Sequence, residues 1–400
     1  MAEWKETDFG RIPSDWNIST LGSICELLTD GSHLSPKPIV SDYYMASVKD
    51  MRYNYIDFGE CKTISKNDFE LLVKNNCSPK PGDILLSKDG ANCLDIIFVY
   101  KQEKEIVVLS SIAIARLKDK YNSEFYRYFL LSPNTQEMMR NNFVSGSAIP
   151  RVILKDFRNV PVPLIEHSEQ TAIASILSSL DDKIDLLHRQ NKTLEQLAET
   201  VFRQWFVEEA KESWEEKSLD EIANYLNGIA LQKYPASIGS YLSVIKIKEL
   251  NQGITENTDK CSRDIPSQYL VQDGDILFSW SGSLVIKIWH DGEGALNQHL
   301  FKITSQKYPK WFYYLATKHH LENFRVIAES KSTTMGHIQR EHLTQAKISI
   351  PPKELFAEYD KAIAPLIEKL IKNNSQIRTL TRLRAALLPK LMSGEVRVKV

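Results

Sequence analysis

Long apolar runs are missing from this 400-residue chain. No stretch approaches the ~18 uncharged apolar residues that a membrane-crossing helix needs. The opening Met1-Ala2-Glu3-Trp4-Lys5 lacks the basic and apolar blocks of a secretory leader, so a cytoplasmic location is expected. Cysteine is scarce. The five residues (Cys25, Cys61, Cys77, Cys93 and Cys261) are scattered, odd in number and never in Cys-x-x-Cys spacing, which fits reduced thiols and disfavours a zinc site. The histidines form no ligand spacing either, because the adjacent His319-His320 point to different sides of a predicted helix. Neither sign of charge is in excess, with 50 Lys and Arg against 51 Asp and Glu. Bulk charge therefore neither suggests nor excludes nucleic acid, and any positive surface must be local or supplied by partners.

Catalytic motifs are also missing. There is no Gly-x-x-x-x-Gly-Lys-Ser/Thr phosphate loop and no Gly-x-Gly-x-x-Gly after a strand, which argues against an ATPase and a dinucleotide enzyme. The segment Ile350-Pro351-Pro352-Lys353 has the prolines of an amino-methyltransferase motif without its polar first or aromatic last residue. Gly82-Asp83-Ile84 is similar to the strand start of a metal-dependent nuclease. However, Leu86-Ser87-Lys88 lacks the second acid that would hold a cation. No catalytic and no metal-binding residues are assigned.

What the chain does contain, it contains twice. Pro81-Gly82-Asp83-Ile84-Leu85-Leu86-Ser87 returns as Asp273-Gly274-Asp275-Ile276-Leu277-Phe278-Ser279, and Asp89-Gly90 returns as Ser281-Gly282 at the same spacing. Trp16 with Leu21, Ile24 and Leu27 is echoed by Trp214 with Leu219, Ile222 and Leu226. Each half then carries a polar Ser/Thr/Gly segment, a β-like run ending in proline (Val160 to Pro163, Ile348 to Pro352) and a long leucine-periodic stretch. The order predicts two copies of one α/β module, each followed by a long helix, with pseudo-twofold symmetry. The repeated Gly-Asp reads as turn chemistry opening a buried strand.

The leucine-periodic stretches predict helices over 166–206 and from about Leu355 to Met392. In the first, Ile173, Leu177, Leu180, Ile184, Leu187, Asn191, Leu194, Ala198, Val201 and Trp205 follow alternating steps of four and three. That is the seam of a helix lying along another helix. Asn191 is either a register-setting polar residue or a polar residue at the edge of the contact. The second seam is Ile363, Leu366, Leu370, Asn373, Ile377, Leu380, Leu387 and Leu391, with Arg384 as the exception. Pro389 is expected to bend or end that helix, Ser393-Gly394 to close it, and Glu395 to Val400 to alternate as a short strand. The first helix is rich in acid and the second in Lys and Arg, which favours their pairing over self-pairing, and the twofold relation of the modules makes the expected coiled coil antiparallel. About 35–40 residues of helix span roughly 50–60 Å, enough to hold two modules on the order of one and a half turns of B-DNA apart.

Within the modules, strands are predicted at Asp83 to Ser87, Ile96 to Tyr100, Ile106 to Leu109 and Ile112 to Leu117, with a helix from Ser123 to Asn141. In the second copy they fall at Tyr241 to Ile247, Asp275 to Trp280, Leu284 to Trp289 and Leu300 to Ile303, with a helix from Lys310 to Glu329. The frame is shared and its surface is not: Lys88 faces Trp280, and Asp95-Ile96-Ile97 faces Lys287-Ile288-Trp289. Such divergence suits two binding domains with different targets. Hydroxyls, Lys and Arg are the usual phosphate ligands, and Asn, Gln and Arg can read base edges. The candidate contact residues are Lys88, Asn92, Ser145, Ser147 and Arg151 in the first module. In the second they are Trp280, Ser283, Asn297, Gln298, Lys331, Ser332, Thr333, Thr334, His337, Gln339 and Arg340.

Taken together, these residues resemble the specificity (S) subunit of type I restriction–modification systems over the whole length. The resemblance is carried by Gly82 to Ser87 and its copy, and by Val160-Pro161-Val162-Pro163 leading through Glu169-Gln170 and Ile173-Ala174 into the central helix. Trp205-Phe206, the run Arg384 to Val396 and the opening Gly10-Arg11-Ile12-Pro13-Ser14-Asp15-Trp16 add to it. The second copy departs, with Glu358-Tyr359 in place of the Glu-Gln pair. The resemblance implies target recognition domains at 1–165 and 209–352, a central conserved helix at 166–208, and a distal conserved helix with a C-terminal strand at 353–400. It also implies that each domain reads one half of a split, asymmetric DNA site, while the helix pair sets the unread spacer. The partners implied are double-stranded DNA, two methyltransferase subunits and motor-nuclease subunits. S-adenosylmethionine, ATP and magnesium would belong to those partners, leaving this chain non-catalytic and without a cofactor. The alternatives are an S-like subunit of a system cutting on both sides of its site, and a non-DNA assembly scaffold.

Overall fold

The computed structural model describes residues 3–146, 148–237, 239–330 and 336–398. The chain folds into two compact units, one of Met1–Asp182 with Arg382–Val400 and the other of Lys183–Thr381. Both long helices run from one unit into the other, so each unit is built from segments far apart in sequence.

In the first unit a four-stranded sheet has the order Cys25–Asp30, Ile112–Leu117, Ile84–Ser87, Ile97–Val99, with antiparallel neighbours. All four residues of Ile84–Ser87 are buried, as expected of an uninterrupted apolar strand flanked on both edges. A three-stranded sheet (Lys62–Thr63, Tyr44–Ala46, Ile106–Val108) pairs its last two strands in parallel. The second unit repeats the plan. Its four-stranded sheet is Asn224–Asn227, Leu300–Thr304, Ile276–Ser279, Ile286–Ile288, and Tyr241–Ile245 runs parallel to Gly294–Leu296.

The repeated Gly-Asp is turn chemistry. Gly82 and Gly274 take positive φ (+98° and +86°), which glycine adopts without the penalty a side chain would bring. The Asp83 carboxylate accepts from the Lys80 amide at 2.7 Å and forms a two-pronged pair with Arg116. Asp275 accepts from the Gln272 amide at 2.9 Å and pairs with Lys302 at 2.8 Å. Each buried strand is thus opened by a glycine turn locked by an aspartate and a cation from the next strand.

Several expectations are corrected. The helix predicted from Ser123 to Asn141 is two, Ser123–Leu131 and Pro133–Phe143, because Pro133 has no amide proton to continue the first. The copy is likewise split into Lys310–His319 and Leu321–Ser330. Tyr241–Ile245 ends early and gives way to a helical turn, Ile247–Gln252. Pro389 does not end the distal helix, which runs Lys353–Met392; Gly394, at φ +71°, follows as the closing residue. Residues 395–398 form no strand: Val396 donates back to Lys390, and Arg397 reaches Asp15 and Glu169 through its side chain. Register also relocates the Glu169-Gln170 counterpart. Leu164 pairs with Asn17 just after Trp16, and Ile350 pairs with Glu215 just after Trp214, so the counterpart is Leu355-Phe356, not Glu358-Tyr359.

The central helix spans His167–Arg203 and ends in a π turn, Gln204–Glu208. Every residue of both predicted seams is buried or half-buried. Within the second unit the helices pair antiparallel: Trp205 stacks on Tyr359 at 4.2 Å, and Asn191 donates to Asn374 Oδ1 at 2.6 Å. Asn373 in turn donates to Asn191 Oδ1 at 3.0 Å, so Asn191 belongs to an asparagine layer bonding across the seam. Within the first unit the exceptional Arg384 pairs with Asp181 at 2.6 Å. Asp181, 8% exposed, also accepts from Tyr128 at 2.7 Å and pairs with the buried Arg127 at 3.4 Å. No helix among the described residues is long and apolar enough to cross a membrane.

Candidate nucleic-acid interface

The two copies of the buried strand deliver the chain to the same kind of place. After Ser87, Lys88 donates its amide to Ser111 O (3.0 Å) and accepts from Val152 N (2.9 Å), while Gly90 donates to Pro150 O (2.9 Å). After Ser279, Trp280 donates to His299 O (3.4 Å) and accepts from Ile338 N (2.9 Å), while Gly282 donates to Gly336 O (2.9 Å). Strand end, following loop and the distant polar segment are therefore stitched together by corresponding backbone bonds. Ser87 Oγ closes its loop on Asn92 O, and Ser279 Oγ closes its own on Ser283 O.

The loops differ in length. Ser87 N donates to Ile96 O and Ser279 N to Val285 O, so the first loop is three residues longer. Ile97 therefore matches Ile286, not Trp289 as uniform spacing suggested. The extra length is accommodated with Leu94 buried at φ +69°, a conformation that a bulky side chain rarely adopts.

On this shared backbone the side chains part company. Ala113 pairs with Asp30 and Phe301 with Asn227, so positions 30 and 227 correspond, as do 88 and 280. In the first unit these positions hold an ion pair, Lys88 Nζ to Asp30 at 3.2 Å, with His33 at 3.4 Å from the same carboxylate. In the second they hold a neutral bond: Trp280 Nε1 donates to Asn227 Oδ1 at 2.9 Å. The Trp280 ring lies 5.8 Å from His299 and 6.1 Å from Phe301, and Ser281 Oγ bonds His299 Nδ1 at 3.1 Å. One surface is charged and the other aromatic and amphoteric.

The sequence-predicted residues divide accordingly. Asn92, Ser145, Arg151, Ser283, Gln339 and Arg340 are exposed, and Trp280, Gln298 and His337 are half-buried. Ser145 pairs with Arg151 in a two-stranded ribbon, which brings those two together beside the Lys88 loop. Arg340 is tied down, donating to Tyr225 O at 3.1 Å with its guanidinium 5.8 Å from the Phe301 ring. Lys88 and Asn297 are only 7% and 3% exposed. Lys88 is drawn in by Asp30, and Asn297 Oδ1 accepts the His299 amide at 3.2 Å, so Asn297 shapes the turn from inside. Ser147, Lys331, Ser332, Thr333 and Thr334 lie outside the described residues.

Sequence reading missed Asp30, Asn227 and His33, whose place depends on strand register across some eighty residues and carries no local motif. Nucleophilic chemistry gets no help from the thiol beneath the first loop, because burial pushes Cys93 up to about 11. No group of three or more His, Cys, Asp or Glu among the described residues is arranged to hold a metal ion.

Comparison with known proteins agrees with this duplicated architecture. The sequence model of the type I restriction modification DNA specificity domain matches twice, over residues 13–196 and 211–384. The type I restriction enzyme MjaIX specificity subunit of Methanocaldococcus jannaschii is 28% identical, covering 99% of this chain and 97% of the relative. The HindI specificity subunit of Haemophilus influenzae is 21% identical over 96% of this chain and all of the relative. The crystal structure of a type I restriction–modification S subunit from M. genitalium shares the fold, with a TM-score of 0.60 at 17% identity over 94% of this chain and 96% of that one. With two DNA specificity domains spanning most of its length, this chain belongs to the specificity-subunit family of type I restriction–modification systems.

Proposed function

We propose that each unit reads one half of a bipartite, asymmetric DNA site and that the paired helices fix the unread gap between the halves. The observation that carries this is the pair of loop-and-strand surfaces held by corresponding backbone bonds but furnished differently, Lys88–Asp30 in one and Trp280–Asn227 in the other. Equal frames with unequal contact chemistry suit two readers of unequal sequences. The chain itself is non-catalytic in this reading and uses no cofactor. Methyltransferase subunits bound along the helices use S-adenosylmethionine, and motor-nuclease subunits use ATP and magnesium. Those partners, enclosing the DNA in the cytoplasm, supply phosphate neutralisation that a chain of net charge −1 does not. Inserting one heptad into both helices is expected to lengthen the gap and leave both half-sites unchanged, read by methylation mapping in cells carrying the partner genes. Altered half-sites with an unaltered gap would overturn the ruler.

A further inference from the structure

The second unit carries a groove of about 740 Å³ that shares no residue with the surfaces described above. Its floor is apolar: Trp214, Tyr308, Ile350 and Phe356, with Phe356 held against the stacked Trp311 at 5.6 Å. Its rim is basic, with Lys217, Lys307 and Lys353. Of the two acids present, Glu215 is taken by Lys217 at 3.2 Å and Asp360 accepts from Trp311 Nε1 at 2.5 Å. Lys307 and Lys353 form no ion pair among the described residues and stand exposed.

The first unit shows what the corresponding place does when it is covered. There Arg397, from the tail after the distal helix, lies 5.7 Å from the Trp16 ring and is held by Asp15 (3.2 Å) and Glu169 (2.7 Å). Strand register matches Asp15 with Ser213 and Glu169 with Leu355, so both acids that anchor a basic cover are absent from the second unit. The same register places Lys217 and Lys353 where the first unit has Ser19 and His167. The sign of the site is reversed while its tryptophan remains, and Phe356 enlarges the apolar floor where the first unit has Gln170.

We infer that this groove docks an acidic protein segment bearing at least one aromatic or leucine side chain, contributed by a partner protein. Apolar burial supplies the affinity, and the lysines select the charge and orientation of the segment. An aromatic floor flanked by Pro309, Pro351 and Pro352 suits a peptide side chain better than a stack of bases, since Lys217 is already paired with Glu215 and only Lys307 and Lys353 are left to meet phosphates.

The test is fluorescence polarisation with the full chain and a labelled twelve-residue peptide of Glu and Asp around a central Phe-Leu pair. A second peptide, with every acid changed to lysine, and a labelled DNA duplex are the comparisons. The acidic peptide is expected to bind at least tenfold more tightly than the lysine peptide. Lys307→Glu with Lys353→Glu, and separately Ala357→Trp, which fills the groove from an exposed position, are each expected to weaken it tenfold or more. Lys307→Gln gives an intermediate loss if the double variant folds poorly. Equal binding of both peptides, indifference to Ala357→Trp, or displacement of the peptide by the duplex would overturn the proposal. Methylation patterns are not expected to shift with Ala357→Trp, so this outcome is separable from the reading of DNA.

Discussion

Where the long helices enter their cores, the two units solve one packing problem in opposite ways. Seventeen residues beyond Leu164 stands Asp181, buried among Arg127, Arg384, Tyr53 and Tyr128. Seventeen residues beyond Ile350 stands Ile367, 2% exposed in an apolar cluster that includes Ala198 and Leu370. Burying an isoleucine contributes about 1.5–3 kcal/mol through the hydrophobic effect alone. A buried ion cluster gains little over that, since desolvation offsets most of the attraction, but it is sensitive to the loss of any one member. The ionic version therefore adds discrimination rather than strength: Arg384 of the distal helix completes a set of donors that Arg127, Tyr128 and Tyr53 begin around Asp181.

The largest test of this contrast is Asp181→Ala. Removing the shared carboxylate leaves the buried Arg127 and the half-buried Arg384 without it, and about 3 kcal/mol of the first unit's stability should be lost. Hydrogen exchange should show the loss in the first unit's four-stranded sheet, and equal loss in both units would break the comparison. Next come Gly31→Ala and Gly228→Ala. A Cβ at Gly31 would lie 2.1 Å from Val108 O, and one at Gly228 would lie 2.2 Å from Asn297 O. Each should cost about 1–3 kcal/mol or more, and similar thermal shifts would sharpen the view that the frame, unlike its furnishing, is common.

Smaller effects separate the furnishings. Trp280→Ala should relax base preference in one half-site by roughly 1–3 kcal/mol and leave the other untouched, and Lys88→Ala should do the reverse. Methylation mapping that shows both halves changed by either variant would contradict independent readers. The smallest effect concerns acid. Burial alone would raise Glu195, but Lys318 at 2.5 Å and Tyr314 hold it below the usual carboxylate range. A depressed folded value stabilises the second unit above the ordinary carboxylate pKa, and that contribution is lost as pH falls through the depressed value. Melting curves from pH 6 to pH 3 should thus fall less steeply for Glu195→Gln, and parallel curves would sink the assignment.

The duplication and the helix seams were legible in the sequence because both are periodic, and periodicity survives divergence. Each seam residue from Ile173 to Trp205 is at least half-buried for that reason. Arg384 stood out as a blemish on its seam because its partner, Asp181, stands one residue past the seam's Leu180 on the other helix. The three extra residues before Ile97 were invisible because Gly90 and Gly282 align without a gap, and the difference falls after them. The Asp30–Lys88 and Asn227–Trp280 pairs depend on strands meeting across long loops, where no local pattern announces the partner.

The sharing of both helices between units has a temporal side. Leu391 and Met392 sit in the same apolar cluster as Trp16 and Leu177, so the unit begun first at the ribosome lacks part of its interior for some two hundred further residues. At about 5–20 residues per second that is roughly 10–40 s, by the end of which the whole of the second unit has been made. The nascent chain must keep its earliest apolar surface sheltered until its last helix emerges, and whatever binds there in the meantime has first claim on the fold.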